Sequence, residues 1–338
     1  ELPDIVCFPK VELEKKNGHK DEARIVDFTP EIAELLEQRI ELRGWLTPDF
    51  SPMTSPPNDW EDGTRGPYNL DELAFRCALV RNMRPPQKVA IDAAIADGSM
   101  FEALDALNFL QKVPLSINKY VLEAVLWARE DPERHENIEG FPALRDRGVT
   151  QEYPKDASQY GREELAAISR NIKHMKKRKD TVKSNLVTFE DDIREALGLL
   201  DVEQYYLPYN FDTRSRIYHL SKFGHHRHDP IRGMVQFKNG SPVTKDNVHH
   251  LKYKAANTWG NAASSTDDRK TDKLPMHERW AWADDNMELL LLCGEDFTDP
   301  RAFAHWSKAA SAHQHLAACR ELYNYHCFGE GYICRLPI

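Results

Sequence analysis

A chain of 338 residues with 41% hydrophobic and 29% charged residues has the make-up of a soluble globular protein and excludes a disordered or collagen-like polymer. Its formal net charge of -9 argues against a uniformly basic nucleic-acid coat, although a polyanion responds to local potential and one basic tract within an acidic chain suffices to hold it. No apolar run reaches membrane-spanning length and no secretory leader pattern is present. The six cysteines, at 7, 77, 293, 319, 327 and 334, form no CxxC pair, which implies reduced thiols in a cytoplasmic protein.

In chain order, residues 11–28 read as a β-hairpin. Val11-Glu12-Leu13-Glu14 alternates, Asn17-Gly18 is a two-residue turn signal, and the strand returns from Arg24. Its tip is basic, with Lys16, His19 and Lys20. Thr29, Pro30 and Gly44 fit the N-cap, first position and C′ of a structural helix. Residues 51–68 form a proline- and glycine-rich loop that carries Trp60 and Tyr68. From 85 to 200 the pattern is helical, including helices at 101–110 and 117–130, the second capped by Ser116. A charged loop occupies 131–158. In 163–179, Leu165, Ile168, Ile172 and Met175 make an inward stripe. Arg170, Lys173, Lys176, Lys177, Arg178, Lys179 and Lys183 then crowd the exposed face and the following turn. Thr188 and Asp191 cap the next helix.

The segment Pro208-Tyr209-Asn210-Phe211-Asp212-Thr213-Arg214-Ser215-Arg216-Ile217-Tyr218 is too polar for a simple core strand. If extended, Asp212, Arg214 and Arg216 share one face. Two guanidiniums so placed suit phosphate or carboxylate, being planar, bidentate and permanently charged. A half-buried strand with structural Arg–Asp pairs accounts for the same spacing equally well. The run His225-His226-Arg227-His228 reads as a solvated loop, because adjacent histidines do not share a face. Residues 234–242 are a strand and turn, and residues 248–259 a helix. Single amphipathic helices follow at 276–293 and 301–323. His313, His315, Cys319, His326, Cys327 and Cys334 lack the paired short spacings of structural zinc, so they read as core residues and no metal site is expected in this chain. Residues 331–338 enter an apolar strand.

The run from Pro208 to Tyr218 resembles the Pro-Tyr-Asn-x-Asp-x-Arg-Gly-Arg-x-Tyr segment of the single-subunit, phage-type DNA-dependent RNA polymerases, a group that includes the mitochondrial type. The order of the flanking features is similar too. There is a hairpin, then a Pro-Pro-x-x-Trp loop at Pro56-Pro57-Asn58-Asp59-Trp60. A helical stretch from Ala106-Leu107-Asn108 through Tyr120-Val121-Leu122 and a basic helix end come next. A strand ending in Gly240-Ser241-Pro242 is followed by Leu251-Lys252 with Ala256-Asn257. The family's glycine between the arginines is Ser215 here; if that glycine serves close backbone approach, Ser215 shifts the contact.

The resemblance implies an α+β, mainly helical fold. Residues 1–84 would be the end of an N-terminal domain with its hairpin, 85–200 a helical thumb, and 201–338 the first part of a right-hand polymerase palm. It implies a nucleic-acid-binding part of a DNA-directed RNA polymerase in which Arg214 and Arg216 grip template and RNA–DNA hybrid. Asp212 orients the arginines, and Tyr218 packs beside the incoming-nucleotide region. Lys176, Lys177, Arg178, Lys179 and Lys183 track the backbone, and the hairpin's Lys16, His19 and Lys20 touch phosphate rather than wedge bases apart. The family's Mg²⁺ ions for two-metal transfer are held by carboxylates absent from this sequence, so no catalytic residue is assigned and the isolated chain is expected to be inactive. The expected partners are a second polymerase chain carrying the rest of palm and fingers, as in a split bacteriophage enzyme in the host cytoplasm, or the rest of the same chain. DNA template, nascent RNA, nucleoside triphosphates and an accessory promoter-melting or recruiting protein complete the set. The competing expectation is a non-catalytic nucleic-acid-binding regulator derived from the same fold.

Overall fold

The computed structural model describes residues 50–61, 63, 65–145, 152–154 and 159–337, together with the backbone of four short strands before residue 29. The chain divides into two compact units, Glu1–Asp49 and Phe50–Ile338. In the first, β1 (Val6–Cys7), β2 (Lys10–Glu14), β3 (Lys20–Arg24) and β4 (Asp27–Phe28) form a hairpin. Val6 faces Phe28 and Lys10 faces Arg24 in a single antiparallel register. The last pair is Glu14 with Lys20, so residues 15–19 form the connection. The turn expected at Asn17-Gly18 lies outside the described residues. The returning strand starts at Lys20, four positions earlier than the alternation suggested. The helix expected at 29–44 and the tip residues Lys16 and His19 lie outside the described residues, and only the backbone of Lys20 is described.

The second unit is mainly helical, as expected. Its helices are α1 (Asp71–Arg76), α2 (Pro85–Ala96), α3 (Phe101–Gln111), α4 (Lys119–Arg129), α5 (Pro132–Glu136), α6 (Arg162–Leu200), α7 (Asp229–Met234), α8 (His249–Trp259), α9 (Met276–Asp285), α10 (Met287–Glu295), α11 (Pro300–Trp306) and α12 (Ala312–Phe328). Its strands are β5 (Leu115–Ile117), β6 (Tyr209–Phe211), β7 (Ile217–His219), β8 (Val235–Phe237), β9 (Ser241–Pro242) and β10 (Ile333–Cys334).

The core centres on α12, whose Ala312, His313, His315, Leu316, Ala317, Ala318, Cys319 and Leu322 are all buried. Small residues let its neighbours come close. A Cβ on Gly294 of α10 would lie 2.3 Å from the Cys319 carbonyl oxygen, and one on Gly233 of α7 2.8 Å from the His313 backbone. Asp229 of α7 caps α12 from outside, accepting from the His313 N–H at 2.7 Å and from His313 Nδ1 at 3.1 Å. A carboxylate there satisfies an orphan donor and complements the helix dipole.

Where single helices were expected at 276–293 and 301–323, each is broken in two. At 307–311 the chain leaves the helix, and the Ala310 and Ser311 N–H groups donate to the Trp259 and Thr258 carbonyls at the end of α8. Those carbonyls have no intrahelical partner, so the break in one helix completes the end of another. The strand expected at the end of the sequence is β10, and it pairs within this chain. Cys334 faces Ser241, and the Phe237 N–H donates to the Arg335 carbonyl. β8 pairs in turn with β5, β5 bridges to Tyr205, and Tyr206 bridges to Met53. Short strands from across the unit thus lie side by side.

Ser116 sits in β5, and the cap of α4 is Asn118, whose side chain accepts from the Val121 N–H. Asn118→Ala should lower stability by about 1 kcal/mol, read as a shift of the urea midpoint, with a smaller effect for Ser116→Ala.

Candidate nucleic-acid interface

Residues 212–216 are not an extended strand. They form the tight turn between β6 and β7, closed by the Asp212 N–H donating to the Arg216 carbonyl at 2.8 Å. The two arginines nonetheless project together, because one carboxylate gathers them. Asp212 Oδ1 accepts from the backbone N–H of Arg214 at 2.8 Å and of Arg216 at 2.9 Å. Its Oδ2 faces Arg214 Nε and Nη2 at 3.1 and 3.0 Å and Arg216 Nε at 3.4 Å. The Asp212 side chain is only 13% exposed, while those of Arg214 and Arg216 are 69% and 52% exposed. The backbone N–H groups of Arg216 and Arg214, with the Arg214 guanidinium, outweigh desolvation and hold the Asp212 carboxyl down at about 2. Each guanidinium keeps donors free for a second anion, since an arginine offers five.

Ser215 occupies the left-handed region at φ 61°. The position where the related segment carries glycine is thus one whose backbone favours glycine whatever its surroundings. Nothing here requires close approach of a ligand to explain it.

A third chain segment braces the hairpin. The Phe211 N–H donates to the Leu79 carbonyl and the Arg81 N–H to the Phe211 carbonyl, each at 2.8 Å. Arg81 Nε donates to Asn210 Oδ1 at 2.7 Å and Nη2 to the His219 carbonyl at 2.5 Å, so one guanidinium ties both strands. The same group lies 5.2 Å from the Tyr218 ring centre, with Arg216 6.0 Å from that ring. Tyr218 is held among cations of its own chain. The loop at 51–68 serves the hairpin as well: Trp60 is 1% exposed and its Nε1 donates to the Tyr209 carbonyl at 2.9 Å. Arg81 has no short-range sequence signal, because its partners lie more than 120 residues away.

The histidine run is solvated only in part, with His226 and His228 exposed. His225 is half-buried against Tyr209 and His219, and Arg227 pairs with the buried Asp192 of α6 at 2.7 Å. His219 is fixed as a neutral ring: Nδ1 donates to the Ser221 carbonyl at 2.6 Å, and Nε2 accepts from the His226 N–H at 3.2 Å. Of the cysteine and histidine set in the last third, His313 is held by Asp229, and His315 by the Ala255 carbonyl and His305. Among the described residues no group of three or more His, Cys, Asp or Glu side chains converges on a point where a metal ion would sit.

The basic tract lies on one uninterrupted helix, α6, and not on a helix end and turn. Thr188, expected as a cap, is mid-helix and donates to the Ser184 carbonyl at 2.9 Å. At 100° per residue, Arg170, Lys173 and Lys177 cluster on one side and Lys176, Lys179 and Lys183 on another. Lys179 and Lys183 fall on the apolar stripe itself. All seven are exposed, and α6 buries no residue before Phe189. The charge thus wraps this half of the helix, and no described contact brings it together with the Asp212 turn.

Residues 241–338 match the family described as DNA-dependent RNA polymerase. The chain is 26% identical over 321 residues to T7 RNA polymerase of Escherichia phage T7, an alignment covering 94% of this chain and 33% of that protein. It is 27% identical to the DNA-directed RNA polymerase of Enterobacteria phage K11, over 93% of this chain and 32% of the other. With the mitochondrial DNA-directed RNA polymerase of Schizosaccharomyces pombe it shares 28% over 91% and 25%. The chain spans about a third or less of the length of these curated relatives.

Two outcomes follow from the local chemistry. Ser215→Gly should raise stability by about 0.5–1 kcal/mol, the relief of a left-handed side chain less the added freedom of the unfolded glycine, measured by denaturant unfolding. Burial, first of all, depresses His219 and His315 to about 3 and His225 and His305 to about 4. Below the unfolded value near 6.5 the unfolded chain binds protons that the folded chain refuses, so stability should fall steadily from pH 6.5 towards pH 4. A flat thermal midpoint across that window would contradict neutral burial.

Proposed function

From its similarity to the phage-type, single-subunit RNA polymerases, we propose that the chain forms the template- and hybrid-holding part of a DNA-directed RNA polymerase. The observation that carries this reading is the Asp212 turn. A single low-lying carboxylate presents two half-exposed or exposed guanidiniums on a hairpin braced from three directions. Such a pair suits adjacent phosphates of a nucleic-acid backbone, because its orientation is set before binding and little freedom is lost on contact. Tyr218, held beside Arg81 and Arg216, offers a face for a sugar or base next to those phosphates. The basic half of α6 adds a second, geometrically separate track, in which Lys176, Lys177, Arg178, Lys179 and Lys183 serve as phosphate contacts, as do Lys16, His19 and Lys20 of the hairpin in the first unit.

In this reading residues 85–200 act as a thumb-like element and 201–338 open the palm. The carboxylates that hold Mg²⁺ for nucleotidyl transfer come from outside the residues of this sequence, on a second polymerase chain or on the remainder of the same one. DNA template, nascent RNA and nucleoside triphosphates are the ligands, an accessory protein assists at closed duplex, and the host cytoplasm is the compartment. The relatives found are polymerases, and no observation favours the regulator.

The test is binding of an RNA–DNA hybrid as a function of salt. Arg216→Gln and Arg214→Gln should each weaken binding and lower the slope of log K against log salt by about 0.7–0.9, leaving the thermal midpoint close to that of the parent. In the assembled polymerase, Arg216→Ala should impair extension of a primed template more than it impairs assembly. Unchanged binding and extension in both arginine variants would remove the role assigned to the turn.

A further inference from the structure

Behind the hairpin lies a cavity of about 460 Å³ whose walls include Leu110, Val113, Leu115, Val235 and Phe237. Its polar lining is one-sided. Arg232, Lys254 and His225 face it, with Tyr209 and Gln314, and none of its described lining residues is acidic. Arg232 is exposed and, among the described residues, makes no ion pair or side-chain hydrogen bond. Lys254 is half-buried, and its ammonium donates to the Pro337 carbonyl at 3.0 Å. Asp229, whose charge reaches Lys254, is already committed to the His313 backbone and ring and to Gln314. Burial and the neighbouring Arg232 depress Lys254, and burial, His226 and Arg232 depress His225. Arg232 and Lys254 therefore repel one another, with Asp229 offsetting part of the effect on Lys254, while His225 stays a neutral ring beside them. A folded chain that gathers like charges at one apolar cavity stabilises them when an anion arrives, since each gains a charge-assisted hydrogen bond and loses a repulsion.

We propose that this cavity binds the phosphate of a nucleotide. Arg232 and Lys254 would hold the phosphate oxygens, and the apolar wall would take the sugar or base. The volume lies within the usual range for small-molecule sites and is larger than phosphate alone requires. The proposal rests on the polymerase reading for its choice of a nucleotide over other anions. The observed charge pattern specifies the anion, and a free mononucleotide and one residue of a bound strand share that chemistry.

Titrating the 338-residue chain with adenosine and uridine monophosphates, with inorganic phosphate and with a short single-stranded RNA tests it, by calorimetry at low salt. Each of Arg232→Gln and Lys254→Gln should weaken mononucleotide binding about tenfold or more. Lys254→Arg should restore most of that loss, and thermal midpoints should stay near the parent value. If only the RNA oligonucleotide responds to the substitutions, the site belongs to a bound strand and not to a free nucleotide. If inorganic phosphate binds as tightly as the mononucleotides, or if neither substitution changes any of these affinities, the proposal is overturned. The Arg214 and Arg216 variants supply the separate control. Hybrid binding that depends on them while the cavity variants bind nucleotide normally would overturn the cavity alone. Nucleotide binding lost with Arg232, in a chain that binds no hybrid, would overturn the polymerase reading and leave the cavity standing.

Discussion

The shape of the candidate interface depends on one carboxylate. Asp212 receives two backbone N–H groups and two guanidiniums, so it fixes the turn and the side chains that the turn displays. The two jobs are inseparable. A carboxylate that only paired with arginines would leave the turn's donors to water, and one that only capped the turn would leave the arginines to wander. Because Asp212 is mostly covered and its partners are mostly exposed, the charge balance of the turn is positive towards solvent and neutral towards the protein. A polyanion therefore meets an arranged pair of donors and need not compete for a buried one.

The base beneath the hairpin is stiffened by groups that would be liabilities elsewhere. Burial would raise the carboxyl of Asp229, but donors from His313 and Gln314 keep it low. It links α7 to α12 through the His313 N–H in the first turn of the longer helix. His305 and His315 share a hydrogen bond at 3.3 Å, and the Trp259 ring stacks on His305. Neutral imidazoles here act as shaped, two-ended hydrogen-bonding groups in a core whose helices touch through Gly233 and Gly294. The same crowding defines one wall of the cavity that Arg232 and Lys254 face.

Local rules made parts of this architecture legible. Helices α3, α4 and α8 follow from apolar spacing, and the polar Asp212 segment stood out because no core strand tolerates it. What escaped was set at long range. Arg81 gives no sign of its task, since Asn210 and His219 are remote in sequence. The break before α12 is set by the open carbonyls of α8, so periodicity alone ran two helices together. Asn17-Gly18 is a strong turn signal that lies outside the described residues, between Glu14 and Lys20, which pair across the strands. The opposite error arose in α6, where a threonine followed by an aspartate mimics a cap, although nothing interrupts the helix. Where the family likeness supplied a glycine, the reason for it became visible only in the φ of Ser215.

The length of α6 has a mechanical consequence. From Arg162 to the first buried residue, Phe189, the helix runs for about 40 Å at 1.5 Å per residue, anchored by Phe189, Ile193, Ala196 and Leu199 and by the Asp192–Arg227 pair. It is a cantilever. A tilt of about 5° at the anchor carries the far end through roughly 3–4 Å on an arm of that length, comparable to the rise between successive base pairs. With cations on several sides of the rod, its charge reaches a ligand whichever way the arm is rotated about its own axis.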